Sequence, residues 1–405
     1  MNKKPKRKRL PKSIQKSLET WKALAVRVFR ILMISVFISR SDKPQNHQVA
    51  QPRTGKKPRQ KKKWYTFSFI PWRRVGLETG LRLLEAPLLL LLCTAIIVIA
   101  SVHPRQRQAV GSTPEGMGLY YEAVGFPSKD GTALNGWYIP SINAREVLED
   151  GDAALTRKRP AAVICHGIGA NRNQLMPLAY YLNNHGIEVM IFDFRNCGQS
   201  ERRARSFGIN EREDVLAAVH YLSQMSSVDP QQIYVIGQDM GGVAGLWAAG
   251  ADPRIAGVIA ADIHRNLDEA IAARLGYSPL HQAIATSFIW GCKTYFHTTD
   301  EQLSAIHAAS LLHERQRLML LTRELNTELD QTAKDILTRS KARGQKHVIS
   351  QVTPCLLTEM EDVAPAIKDF ILNPDRPAPE QPDQSDPEQT PADGVDASAT
   401  ETLAQ

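Results

Sequence analysis

Five residues, Gly237-Gln238-Asp239-Met240-Gly241, constrain the architecture of this chain more than any other feature. A run of β-branched and aromatic residues, Ile233-Tyr234-Val235-Ile236, stops at Gly237, and a stretch of small residues with helical character begins beyond Asp239. The spacing predicts a strand, a sharp turn and a helix. Small residues after the turn let that helix pack close against its strand. The turn lifts its central residue, Asp239, above the end of the strand, so the chemistry of the site depends first on an aspartate.

The sequence on either side alternates strand and helix. Residues 119–126 and 134–139 bracket Lys129-Asp130-Gly131, a hairpin signal. Strands are predicted over 161–165, 189–194, 233–236, 257–261, 318–321 and 348–352, and helices over 175–184, 210–224, 241–249 and 363–372. Over 210–224 the residues Val215, Ala218, Val219 and Leu222 fall on one helical face. A helical insertion, about 266–312, separates two of the strands. This order predicts an α/β fold over 118–372: a mostly parallel sheet with helices on both faces and its sites at the carboxyl ends of the strands.

The flanks differ from this body in charge. Residues 1–85 carry 23 Lys/Arg against 4 Asp/Glu, whereas the remaining 320 carry 27 against 38. Between them, residues 86–102 form 17 consecutive uncharged positions centred on Leu88–Leu92 and Ile96–Ile99. With Leu81, Leu83 and Leu84 they predict a transmembrane helix over 81–103, at about 1.5 Å of rise per residue. About 80 residues precede the run, where a cleaved signal peptide has only a short basic start, so the expectation is an uncleaved signal-anchor. The Lys/Arg excess places the N-terminus in the cytoplasm and the body outside it. Residues 1–80 are expected to be a basic, largely disordered region. It reads as an anionic-lipid surface, a nucleic-acid surface or a tail that only sets topology. Trp64, Tyr65, Phe67, Phe69 and Trp72 suit a membrane interface better than base stacking, which argues against nucleic acid. Residues 104–117 read as a linker, and 373–405, rich in Pro, Asp, Glu and Gln, as a disordered tail. The five cysteines fit no zinc spacing, and neither a metal nor a cofactor is expected.

Three segments in register give the chain a resemblance to a known family. They are Cys165-His166-Gly167-Ile168-Gly169-Ala170-Asn171-Arg172, Phe192-Asp193-Phe194-Arg195-Asn196-Cys197-Gly198-Gln199-Ser200, and the Gly237 to Gly241 turn. Together they resemble the α/β-hydrolase superfamily, closest to its membrane-associated and dienelactone-hydrolase-like serine hydrolases. The resemblance covers about 118–372 and implies an α/β-hydrolase fold with a small helical cap over 266–312. In that family the turn is a nucleophile elbow, G-x-S-x-G. The resemblance puts Asp239 at the nucleophile position and makes the backbone N–H groups of Ile168 and Met240 an oxyanion hole. It makes His166 structural rather than catalytic.

The chain departs from the family pattern at three places. Asp239 replaces serine. Asn326 falls where the acid belongs, after the strand 318–321, with Glu324 and Glu328 as substitutes that nothing fixes in place. After the strand 348–352 comes Thr353-Pro354-Cys355-Leu356-Leu357, without the expected histidine; His347, preceding that strand, is assigned to the opposite end of the sheet. An aspartate can attack carbon without a base, but its ester intermediate needs an activated water for release. His264, in Asp262-Ile263-His264, is the remaining candidate base, with Asp262 to orient it. Apolar residues of the insertion, among them Ile271, Leu275, Phe288, Ile289, Trp290, Tyr295 and Phe296, either line a pocket for a small apolar ligand or pack helix on helix. Two expectations follow: a catalytically impaired protein that binds a ligand or acts as a scaffold, or an active hydrolase of ester-like, epoxide or haloalkane substrates through Asp239.

Overall fold

Residues 88–373 are described in the computed structural model, apart from 105–106, 142–143, 276–277, 324–325, 350–354 and 359. The expectations for residues 1–87 and for the tail beyond 373 lie outside the described residues, as do Glu324, Thr353 and Pro354.

Alternation along the strands builds two cores. In β3 (Arg159–Cys165) Ala161, Val163 and Cys165 face one side and Ala162 and Ile164 the other, and all five are fully buried. The same division holds in β5 (Val228–Gln238), with Val235 on one face and Tyr234 and Ile236 on the other. A strand buried on both faces belongs in the middle of a covered parallel sheet, and β3 and β5 are neighbours there. The eight strands run β1-β2-β4-β3-β5-β6-β7-β8. They are β1 (Glu122–Pro127), β2 (Ala133–Ile139), β3, β4 (Glu188–Asp193), β5, β6 (Ile255–Ala261), β7 (Arg317–Arg323) and β8 (Arg343–Ile349). The β1–β2 and β2–β4 pairings are antiparallel; the others are parallel. Gly131, at φ +80°, turns the predicted β1–β2 hairpin.

Residues 88–102 form a helix, α1. Two short helices, α2 (Ala144–Asp150) and α3 (Asp152–Thr156), precede β3 and have no counterpart in the sequence reading. The sheet is covered on one face by α4 (Met176–Asn183) and, from the end of the domain, α11 (Val363–Leu372). The other face carries α5 (Glu211–Ser223), α6 (Met240–Ala251), α9 (Ala305–Ser310) and α10 (Thr327–Arg339). The predicted face of α5, from Val215 to Leu222, is fully buried. The insertion between β6 and β7 is helical as expected, comprising α7 (Leu267–Leu275), α8 (Pro279–Phe296) and α9.

The expected transmembrane helix has no full counterpart. Among the described residues no helix is long and apolar enough to cross a membrane. The 15 described residues of α1 rise about 22 Å, short of a hydrocarbon core, and positions 81–87 of the predicted span are not among those described. The segment read as a linker is pinned to the body: Asn171 Nδ2 donates to the carbonyls of Gln108 and Ala109, and Arg107 Nη1 donates to Ser200 O.

The end of the sheet requires a correction. The last strand is Arg343–Ile349, not 348–352, so His347 lies near its carboxyl end, level with Leu321 of β7. Basic and polar residues at Arg343, Gln345 and Lys346 disguised this edge strand, whose outer residues need no apolar pattern. The register Gln238↔Ala261↔Leu321↔His347 places the histidine three strands from the elbow strand, or about 14 Å at the usual inter-strand spacing. It is therefore at the correct end of the sheet but laterally remote from Asp239.

Candidate active site

The elbow forms where the sequence places it, and close packing dictates its glycines. A Cβ on Gly241 would stand 2.5 Å from the carbonyl oxygen of Cys165 and 2.7 Å from that of His166. A Cβ on Gly237 would overlap the backbone of Gly241 and Gly242. Asp239 itself adopts φ 52° and ψ −117°, a left-handed conformation that an L-residue holds only at a cost of about 1–3 kcal/mol. The surroundings enforce it: Asp239 N donates to Ala261 O at 2.9 Å, and its carbonyl accepts from Val243 N at 3.1 Å.

The first two sequence motifs brace the elbow. His166 is buried, with Nδ1 2.8 Å from Gly167 O and Nε2 accepting from Phe194 N at 3.1 Å. Burial pushes its imidazole below the ordinary histidine value, so the ring is neutral, with Nδ1 as the donor. This is the structural role expected of it. The buried carboxylate of Asp193 accepts from Arg172 N and Gln199 N, each at 2.9 Å, and ties the loop after β3 to the loop after β4. Gly167 abuts the elbow closely enough that a Cβ there would stand 3.6 Å from Asp239 Cβ. Ile168 and Met240, the expected oxyanion residues, line one cavity with Asp239.

That cavity also contains His264 and Arg274, so the structure brings Asp239 and the candidate base together. It holds only about 40 Å³, close to the space of one water molecule at about 30 Å³. Arg274 of α7 lies 2.5 Å from Asp239 Oδ2 through Nη2. Burial lowers the His264 imidazole below the ordinary histidine value, against the opposing pull of the Asp239 charge.

Asp262 is not the partner of His264. Its Oδ2 accepts from Gln238 Nε2 at 2.8 Å and from Arg323 Nη2 at 2.6 Å. Burial raises its carboxyl above the usual aspartate range, with the Arg323 charge working the other way. On the other side of Gln238, Cys355 Sγ lies 3.5 Å from Gln238 Oε1. The segment after β8, where a histidine is expected, thus does return to the elbow. It brings a buried thiol and the fully buried Leu356. Asn326 caps α10, its Oδ1 accepting from Leu329 N at 3.1 Å. Sequence reasoning missed Arg274, Gln238, Arg323 and Cys355. A cation in a helical insertion that carries only one other, Lys293, was the available signal for Arg274; the others became visible only through tertiary contact.

A family model described as alpha/beta hydrolase fold matches residues 160–348. An esterase of Pyrococcus furiosus superposes with a TM-score of 0.50 at 18% identity, over 66% of this chain and 94% of that one, and so shares the fold. Residues 160–348 belong to the α/β-hydrolase superfamily. Among curated sequences it is 30% identical over 154 residues to the uncharacterised protein YfhR of Salmonella typhimurium, covering 38% of this chain and 48% of that protein. It is 32% identical over 142 residues to a polyketide transferase of Stachybotrys chlorohalonatus, covering 34% of this chain and 43% of that one. The chain thus spans about half the length of the curated relatives it matches.

Proposed function

We propose that this is a membrane-anchored α/β-hydrolase-family protein whose elbow no longer supports turnover and whose domain serves in ligand binding or as a scaffold. The observation that carries the reading is the engagement of Asp239 by Arg274 in a cavity of about 40 Å³. An aspartate nucleophile needs an open face towards its carbon electrophile and a base to deliver the hydrolytic water. Here the carboxylate is paired, the space is small, and one oxygen of the carboxylate that could orient His264 is engaged by Gln238 and Arg323.

A second reading keeps activity. His264 lines the same cavity, and burial favours its neutral, proton-accepting form. With Arg274 swung away, Asp239 would open an epoxide or displace halide from a haloalkane to form an alkyl ester, or attack an ester carbonyl to form a mixed anhydride and release the alkoxide. A water deprotonated by His264 would then hydrolyse that intermediate and return the Asp239 carboxylate. The test offers full-length protein, in detergent and in liposomes, panels of all three substrates and follows turnover and the mass of the Asp239 peptide. Absence of turnover supports the first reading. Turnover that disappears in both Asp239→Asn and His264→Ala would overturn it.

The anchor is proposed from the uncharged run 86–102, the exposed leucines and isoleucines of α1 and the basic excess before it. The N-terminus is then cytoplasmic and the hydrolase-type domain extracytoplasmic, with the basic region against anionic lipid. Proteolysis of sealed vesicles of known orientation tests the topology: the domain is digested from the extracytoplasmic side only.

A further inference from the structure

We infer that α8 of the cap meets the bilayer together with α1, and that the groove between them holds one acyl chain of a membrane lipid. The inference rests on the anchoring proposed above and extends it from a tether to the roof of the site.

Leu88, Leu89, Leu90, Leu91, Leu92, Ile96, Ile97 and Ile99 are all exposed, whereas Thr94, Val98 and Val102 are buried. One stripe of the helix is thus used for packing, and most of the remainder is exposed among the described residues. So much contiguous leucine and isoleucine marks a lipid or partner surface. The 23 Lys/Arg against 4 Asp/Glu of residues 1–85 select the lipid. An anionic bilayer satisfies both the charge and the apolar face, while a second copy of the chain would oppose its own positive charge.

The stripe that packs is locked to α8. A Cβ on Gly291 would stand 2.8 Å from Val98 Cγ2, so the two helices meet as closely as a glycine allows. One end of the contact is fixed by His103 Nε2, 2.9 Å from Tyr295 Oη. Leu90 and Leu91 line the same groove as Thr286 and Ser287, so residue numbers rise together along both helices and the two run parallel. A helix held this way shares the depth of its partner: α1 cannot enter lipid over 90–99 without bringing α8 with it. The surface of α8 suits that position, since Trp290 is 60% exposed and Tyr295 45%, the residue types that favour the headgroup boundary. Between the helices runs an open groove of about 570 Å³, walled by Leu90, Leu91 and Ala95 on one side and Ser287, Trp290 and Thr294 on the other. Its predominantly apolar lining, running from Leu90 to Ile99 along α1, suits a hydrocarbon chain.

The groove connects to the candidate site by packing. Val98, Val102, Phe288 and Cys292 form one cluster with Leu303, and Phe207 and Leu267 pack against it. Leu303, Phe207 and Leu267 also line the cavity of Asp239. Lipid contact at α8 therefore acts on the roof over the elbow.

The test reconstitutes full-length protein in phosphatidylcholine–phosphatidylglycerol vesicles containing a phospholipid with a diazirine on its acyl chain. After illumination, peptides are mapped by mass spectrometry. The expected result is labelling of α1 and of α8 over 286–295. Ala95→Trp and Thr294→Trp, which fill the groove from opposite walls, should each reduce α8 labelling several-fold while leaving α1 labelled. Labelling of α1 without α8 would overturn the inference and leave the anchor standing. Protein that remains in the aqueous fraction with neither helix labelled would overturn the anchor as well. Undiminished α8 labelling in both tryptophan variants would remove the groove from the proposal.

Discussion

Replacing Arg274 with alanine separates two properties that the wild-type site joins. The guanidinium lies 2.5 Å from Asp239 Oδ2, with the Arg274 side chain 47% exposed and that of Asp239 21%. Water reaches both partners, so the pair contributes at most about 1 kcal/mol to folding. For a domain of this size that corresponds to roughly 2–4 °C in melting midpoint. The local effect is larger, because the same side chain lines a cavity of about 40 Å³ and neutralises the carboxylate within it. Arg274→Ala should melt close to wild type and present an open, unpaired Asp239. The assay exposes wild type and variant to an epoxide panel and follows the mass of the peptide carrying Asp239, with thermal unfolding by circular dichroism in parallel. The expected outcome is faster adduct formation on Asp239 in the variant and none when Asp239→Asn is added. Equal adduct rates at an unchanged midpoint would refute the view that Arg274 closes the site. A midpoint loss well beyond about 4 °C would refute the estimate that the pair is structurally minor.

Three further outcomes test the scaffold. Gly241→Ala forces a Cβ against two carbonyl oxygens, at a cost of about 3 kcal/mol, the upper end for overpacking; a melting midpoint near that of wild type would contradict the reported closeness of the elbow helix. Asp214 is fully buried with Arg195, their Oδ1 and Nη2 2.6 Å apart. Asp214→Ala leaves that guanidinium with the half-exposed Asp130 and the Ser128 hydroxyl and should lose about 3–5 kcal/mol, read as a shift in urea midpoint. His264 supplies a pH dependence. Its imidazole is held below the ordinary value, so the unfolded chain takes up the proton first as pH falls. The stability linked to His264 is present above about 6.5 and is lost as pH drops below it. His264→Gln should therefore weaken the fall in urea midpoint between neutral and acid pH, and an unchanged slope would contradict the burial.

How much of this was legible in sequence depended on whether the signal was local. The strand–turn–helix at Asp239, the hairpin at Gly131 and the face of α5 each reside in contiguous residues, and the structure reproduces them. The last strand does not: Arg343–Ile349 lies at a sheet edge, where one neighbour suffices and polar residues are tolerated. Reading it late placed His347 at the wrong end of the sheet. The apolar residues of the insertion divided as no periodicity could foretell, with Phe288 and Ile289 in a core and Trp290 and Tyr295 exposed. The partnerships of Asp239 with Arg274 and of Asp262 with Arg323 join residues 35 and 61 positions apart. Only the fold creates such pairs.

The partnerships also support the proposal that the site is retired rather than rearranged. A displaced triad would leave an acid free to orient its new base. Instead, each position has acquired a different task. Asn326 caps a helix, Cys355 contacts Gln238, and Asp262 pairs with the half-buried guanidinium of Arg323. The elbow persists because its glycines are required wherever β5 and α6 pack this closely, whatever residue sits between them. Restoring chemistry by Asp239→Ser alone should therefore fail. The new hydroxyl would find no oriented imidazole, and ester hydrolysis by that variant would remain at the level of a chain lacking any side-chain nucleophile at 239. Burst-phase release of an activated ester would show otherwise and would mean that His264 is oriented by a route other than Asp262.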